Sequence, residues 1–296
     1  MFAALLFLFP GLLLAQSVVT GALNGTVTDP SGAVIAGATV TLTSTTTGAA
    51  LVTQTTANGG YSFGLVKPGP YTVTVTQSGF KQASLAAEVA LGETAVANVK
   101  LELGSGSVTV EVTGQGALLQ TENANISTSI ETAEIENLPN PGGDLSNIAQ
   151  TSPGVTMNSS GSGFGNFSAF GMPGTANLFT INGNDYNDPF LNLNNSGASN
   201  LLLGSNEIQE VSVISNAYTG QYGRQAGAQI DYATKSGGNA YHGDAVYYYN
   251  AGGMNGTDFF AGYSPETNNQ WAAALGGPIK KDKIFFFVNT DRKSVV

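Results

Sequence analysis

From Tyr241 to Asn250 the chain reads Tyr-His-Gly-Asp-Ala-Val-Tyr-Tyr-Tyr-Asn, and this run restricts the fold more than any other stretch. In an extended strand Tyr241, Ala245, Tyr247 and Tyr249 share one face, while His242, Asp244 and Asn250 fall on the other. A run of this length suits a tilted strand crossing a bilayer. Apolar-out, polar-in alternation with tyrosines for the interface is the pattern of a transmembrane barrel strand. Soluble sandwiches also alternate, but the length and the aromatic weight favour the membrane. A second strand is expected over Asn269–Gly276, with Trp271, Ala273 and Leu275 on one side. Gly277 to Lys283 reads as a short basic turn, and Ile284–Asn289 starts a third strand. Three strands leave unpaired edges that lipid does not tolerate. The expectation is therefore the opening of a barrel in a longer protein.

Composition sets further bounds. Only 10% of the 296 residues are charged, Gly numbers 39 and the net charge is −10. Neutral hydroxyls and amides supply the polarity, as strands joined by turns require. No basic patch exists to meet phosphates, so no nucleic-acid partner is expected. With no Cys and one His, thiolate metal sites, disulfides and serine–histidine chemistry are excluded or improbable. There is no phosphate loop, dinucleotide fingerprint or nucleophile elbow. No catalytic residue, metal site or cofactor is expected, and the chain does not read as an enzyme. Residues 2–15 form an apolar run broken by Pro10-Gly11 and ending in Leu-Leu-Ala-Gln. That reads as a signal peptide over 1–15, cleaved after Ala15. Its missing basic start places the true N-terminus further upstream.

Residues 18–103 alternate apolar and hydroxyl residues at short intervals. Strands are expected at Leu23–Thr28, Ala38–Thr43, Leu51–Thr56, Tyr61–Phe63, Tyr71–Val75 and about Ala95–Leu103. Asp29-Pro30-Ser31-Gly32 and Asn58-Gly59-Gly60 supply turns. Tyr71, Val73 and Val75 share a face, as do Val40 and Leu42. An antiparallel β-sandwich follows. GTVTDPSGAVIAGATVTLT and GYSFGLVKPGPYTVTVTQSGFK resemble the carboxypeptidase regulatory-like domain, a transthyretin-like sandwich. The resemblance implies an accessory module without catalytic residues, either a carbohydrate-binding unit or a spacer.

Gly104-Ser105-Gly106-Ser107 is a flexible break. The run Val108-Thr109-Val110-Glu111-Val112-Thr113 is either an exposed strand for edge pairing with a partner or the first strand of the next domain. A short helix is expected at Thr132–Leu138, capped by Thr132, with Glu131, Glu134 and Glu136 read as dipole-favouring surface acids rather than catalytic carboxylates. A second, capped by Asp144, would bury Leu145, Ile148 and Ala149 and stop at Pro153-Gly154. Asn177–Ile181 reads as a strand meeting an Asn182-Gly183 turn. The oxygen-rich Asn184–Pro189 lacks the glycine and terminal glutamate of a calcium loop and reads as Asx turns. Two strand-like runs then flank Tyr222-Gly223-Arg224, and Ser236-Gly237-Gly238 leads as a hinge into Tyr241.

The ordered set Leu138-Pro139, Ser152-Pro153-Gly154-Val155, Ile181-Asn182-Gly183, Tyr222-Gly223-Arg224 and Thr234-Lys235-Ser236-Gly237 resembles the plug end of TonB-dependent outer-membrane receptors. LGGPIKKDKIFFFVN, together with the N-terminal sandwich, is similar to the Oar-like subfamily. The expected fold class is mainly β: a transthyretin-like sandwich, an α+β plug over 114–236, and the first strands of a truncated transmembrane barrel over 237–296. The resemblance implies active uptake of an unidentified extracellular substrate across outer-membrane lipid, driven by the inner-membrane TonB complex. It also offers a role for Val108, Thr109, Val110, Glu111, Val112 and Thr113 as a TonB box within a 104–113 linker. Arg224 has two readings, a plug–barrel ion pair or a solvated turn residue. The rival function is a cell-surface carbohydrate-binding or adhesion protein without transport. The terminal Asp-Arg-Lys-Ser-Val-Val departs from the subfamily pattern and is the translation expected of a sequencing adapter read as coding DNA.

Overall fold

The computed structural model describes residues 20–104, 107–109, 126–138, 145–157, 166–190, 192–193, 204, 206–216, 223, 226–254, 256–257 and 267–295. The signal-peptide run and Asp144 lie outside them.

Nine strands build the first module: β1 Gly21–Thr28, β2 Thr39–Ser44, β3 Ala50–Gln54, β4 Gly60–Val66, β5 Gly69–Thr76, β6 Gln82–Val89, β7 Thr94–Val96, β8 Val99–Lys100 and β9 Ser107–Thr109. One sheet runs β4-β1-β7 with β8 also on β1, and the other runs β3-β2-β5-β6-β9. The module is a sandwich, but not a purely antiparallel one. β7 and β8 pair parallel to β1, and β9 pairs parallel to β6. Period-2 alternation forms the core: Leu23, Val27, Val40, Leu42, Val73 and Val75 all lie fully buried between the sheets. Gly59 adopts φ 69° in its turn. A Cβ there would meet Val34 at 2.8 Å, so glycine is required twice over. The strand expected at about 95–103 divides into β7 and β8. β6 was not foreseen, because its Ala/Ser alternation carries little hydrophobic contrast.

The second module has strands β10 Ile126–Glu131, β11 Val155–Met157, β12 Phe167–Ala169, β13 Leu178–Ile181, β14 Asn184–Asp185, β15 Ile208–Asn216 and β16 Gln229–Thr234. Its main sheet has the order β10-β15-β16-β13-β14, and β11 pairs with β12. Asn182 and Gly183, at φ 49° and 76°, turn β13 into β14 as expected. The helix Thr132–Asn137 forms where expected, but Glu131 and not Thr132 occupies the N-cap, without a side-chain cap bond. Thr132 instead donates from Oγ1 to the Gln209 carbonyl at 2.6 Å, which ties the helix to β15. The second predicted helix is a 3-10 helix, Leu145–Thr151, with Leu145, Ile148 and Ala149 buried. In the Asn184–Pro189 loop, Asp185 accepts from Asn187 N–H at 2.9 Å and Asp188 from Phe190 N–H at 3.2 Å, which are Asx turns.

The last sheet is antiparallel: β17 His242–Ala251, β18 Thr267–Lys280 and β19 Ile284–Val295. Gly277 to Lys280 belongs to β18, contrary to the turn expected there, because Gly277 and Pro278 stay in register with Phe286 and Phe285. The turn proper is residues 281–283, with Asp282 at φ 61°. Tyr241, Tyr247, Tyr249, Trp271 and Leu275 are exposed, whereas Ala272 and Ala274 are buried. These strands form an open sheet, not a closed barrel.

Candidate functional site

The plug sheet has two unlike faces, and register fixes which residue lies on which. On one face Ile130, Val211, Tyr232 and Ile181 line up across β10, β15, β16 and β13, with Val213, Ile230 and Phe179 beside them. These residues pack with Ile135, Ile148 and Phe167 into an apolar core. The other face carries the row Ser129, Ser212, Asp231 and Thr180. Glu210 and Gln229 flank it, and Glu210, Ser212, Gln229, Asp231 and Thr180 are all buried. Asp231 accepts from Thr180 Oγ1 and from Gln229 Nε2. Burial pushes its carboxyl above the usual range, and these two donors partly oppose the shift. Glu210 accepts from Ser129 Oγ and from the Leu91 amide of the sandwich, the latter at 2.8 Å. Burial raises it as well.

Asn177, wholly buried, knits the plug together. It donates to the Phe167 carbonyl at 2.8 Å and accepts from Ala228 N–H at 3.0 Å. Gly227 packs so close to it that an added Cβ would overlap Asn177 Oδ1. Sequence reasoning read Asn177 only as a strand start, since the amide's two partners, Phe167 and Ala228, lie on separate segments.

The plug meets the barrel strands through polar side chains. Asn206 Nδ2 donates to Asn289 Oδ1 at 2.6 Å, and Asn289 Nδ2 donates to Glu207 Oε2 at 2.7 Å. Lys235 lies 3.0 Å from Glu136 of the plug helix and 3.9 Å from Asp244 of β17. This plug–barrel charge contact sits in the Thr234-Lys235-Ser236-Gly237 motif, in which the sequence reading gave Lys235 no contact role. The expected hinge is a close-packed crossing. Gly237 lies against the Phe286 carbonyl, and a Cβ on Gly238 would meet Thr46 at 2.7 Å. Arg224, read from sequence as either a plug–barrel ion pair or a solvated turn residue, lies outside the described residues. So do Val110, Glu111, Val112 and Thr113. Val108 and Thr109 lie in β9, opposite Ala83 and Ser84 at the edge of the sandwich.

Three family matches follow one another along this architecture. Residues 22–102 match the carboxypeptidase regulatory-like domain, 120–228 the TonB-dependent receptor plug domain, and 233–295 an outer membrane beta barrel domain. The chain belongs to the TonB-dependent receptors of the outer membrane. Among curated relatives, the TonB-dependent transporter Oar of Myxococcus xanthus is 27% identical over 251 residues. The match takes in 79% of this chain and 23% of that protein, so this receptor chain spans under a quarter of its relative's length. Among solved structures, the siderophore receptor PirA of Acinetobacter baumannii overlaps 57% of this chain and 24% of its own, at 20% identity and a TM-score of 0.43. The TIE protein of Bacillus anthracis overlaps 29% of this chain and 17% of its own, at 25% identity and a TM-score of 0.26. Overlaps this loose leave the assignment resting on the ordered family matches.

Proposed function

We propose that this receptor is an active transporter that takes up a still unidentified extracellular substrate, and that it is not an enzyme. In this reading residues 18–103 are the sandwich, 104–113 the coupling linker, 114–236 the plug and 237–296 the entrance to the barrel. The observation that carries it is the polar seam of Asn206, Glu207 and Lys235 against Asn289 and Asp244. Polar contacts screened by barrel-lumen water hold a plug in place yet yield to force more readily than an apolar interface. Force applied to the segment ahead of the plug is then transmitted through β10 into its central sheet, and no cofactor is needed.

The coupling partner is the inner-membrane TonB complex, and its contact is the run Val108–Thr113. A six-residue β-prone segment suits strand pairing with a partner. Arg224 is proposed as a further plug–barrel contact. The test is deletion of 108–113 in the full-length receptor, followed by crosslinking in cells to the periplasmic domain of TonB. The expected result is loss of the crosslink while the protein remains heat-modifiable in outer-membrane fractions. A crosslink undiminished by the deletion sinks the coupling assignment, and absence from those fractions sinks the transporter reading.

A further inference from the structure

The sandwich and the plug meet at a small contact built around one carboxylate. Glu210, on β15 in the middle of the plug sheet, accepts the Leu91 amide at 2.8 Å from the turn that follows β6. Leu91 itself is fully buried, although it belongs to neither the sandwich core nor the plug core. The neighbouring Gln209 adds a single longer bond, from Nε2 to the Pro68 carbonyl at 3.3 Å.

Among the described residues, the charges that act on Glu210 are all of one sign. Glu131 at the end of β10 and Glu93 in the sandwich turn both act on Glu210, and Glu88 on β6 faces Glu131. The direct partners of Glu210, the Leu91 amide and the Ser129 hydroxyl, are neutral. Of the described lysines, Lys235 is engaged with Glu136 and Asp244, and Lys81 lies at the opposite end of β6 paired with Glu102. Lys67, next to Pro68 at the Gln209 contact, is not among the charges that act on Glu210. A buried carboxylate among like charges and without a cation is held most cheaply as the neutral acid.

We propose that this contact is a proton-sensitive latch: neutral Glu210 holds the sandwich on the plug, and ionised Glu210 releases it. The geometry supplies a pivot beside β2, two strands across the same end of the sandwich. There the Asn239 amide donates to the Thr46 carbonyl at 2.9 Å, a neutral backbone bond without proton dependence. Release at Glu210 swings the turn carrying Leu91 away from the plug while the Thr46 side stays attached.

The sign follows from linkage. Burial outweighs the opposing Ser129 and Leu91 hydrogen bonds and, with Glu131 and Glu93, holds the docked carboxyl above its ordinary value, and undocking returns it towards water. The docked state therefore binds the extra proton. Docking is strongest below the ordinary carboxylate range of about pH 4.3 and weakens as pH climbs from there through the raised value.

These 296 residues hold no cysteine, so paired spin labels report the contact cleanly once any cysteine in the rest of the receptor is replaced by serine. Labels at Val96→Cys in the sandwich and Ala133→Cys in the plug helix sit on exposed positions. Pulsed electron-resonance distances are measured on the full-length receptor in lipid vesicles between pH 4.5 and 8, with heat-modifiability as the folding check. One narrow distance is expected at low pH, with a second, separated population rising several-fold at high pH. Glu210→Gln keeps an acceptor for the Leu91 amide but cannot ionise, and is expected to stay narrow throughout. An unchanged distance in the wild type across this range overturns the latch, as does a Glu210→Gln receptor that separates with pH as the wild type does.

Discussion

The sandwich and the plug are both β modules of similar size, yet they solve burial differently. In the sandwich both sheets turn apolar residues inward, and among its described residues few polar side-chain groups are buried. These include Thr55 and the Tyr61 hydroxyl, which donates to the Ala97 carbonyl at 2.5 Å. Thr55 is also satisfied, accepting from Ala38 N–H at 2.9 Å and donating to the Ile35 carbonyl at 2.8 Å. In the plug one sheet face is apolar, while the other buries two carboxylates, an amide and hydroxyls. A sandwich of the first kind is complete in itself. A sheet of the second kind is stable only where its polar face is enclosed and its hydrogen bonds are supplied, since each unmet buried group costs about 1–3 kcal/mol. The plug is thus built to sit inside something else, and the sandwich is not.

The strongest way to break this contrast is to damage one core and watch the other. Phe179 is buried on the apolar face of the plug, edge-on to Phe167 with ring centroids 5.8 Å apart. Phe179→Ala is expected to destabilise the plug by about 3–5 kcal/mol. Differential scanning calorimetry of the full-length receptor should show the plug transition fall while the sandwich transition holds. If both fall together, the two modules unfold as one unit and the sandwich is not complete in itself.

Thr55→Val probes the sandwich from the other side. It keeps the shape but strands the Ala38 amide and the Ile35 carbonyl in a dry core. The loss expected is about 1–3 kcal/mol, confined to the sandwich transition in the same calorimetric trace. A loss within error would mean that water reaches Thr55 and that the sandwich core is less closed than its apolar alternation implies.

The same contrast explains what could be read from the sequence. Strands with strong period-2 contrast, such as β2 and β5, were legible because each apolar residue must face one core. β6 was not, since alanine and serine mark neither face. Pro278 misled because proline usually signals a turn, whereas here it takes a strand position near the end of β18, opposite Phe285. In the plug, Glu210, Gln229 and Asp231 alternate with apolar neighbours, and alternation by itself would turn them outward. Only long-range pairing reveals them as buried: the partners Glu210 and Leu91 are 119 residues apart, and Asn206 and Asn289 are 83 apart. Periodicity tells which face a side chain takes, but not whether that face meets water.

Asp231 offers the finest test of the polar face. Its carboxyl is raised by burial, so the folded plug binds a proton more tightly than the unfolded chain does. Stability from this group is therefore full below about pH 3.9, the ordinary Asp value, and declines as pH rises through the folded value. Asp231→Asn leaves an oxygen for Thr180 and Gln229 while removing the ionisation. Its effect at low pH should be small, within about 1 kcal/mol, because the neutral acid and the amide make similar hydrogen bonds. Between pH 5 and 8 the wild-type plug should lose melting temperature relative to the variant. A variant that parallels the wild type across that range would mean that Asp231 stays ionised in the fold. The polar face would then be wet rather than dry, and the contrast with the sandwich would rest on hydration instead of on enclosure.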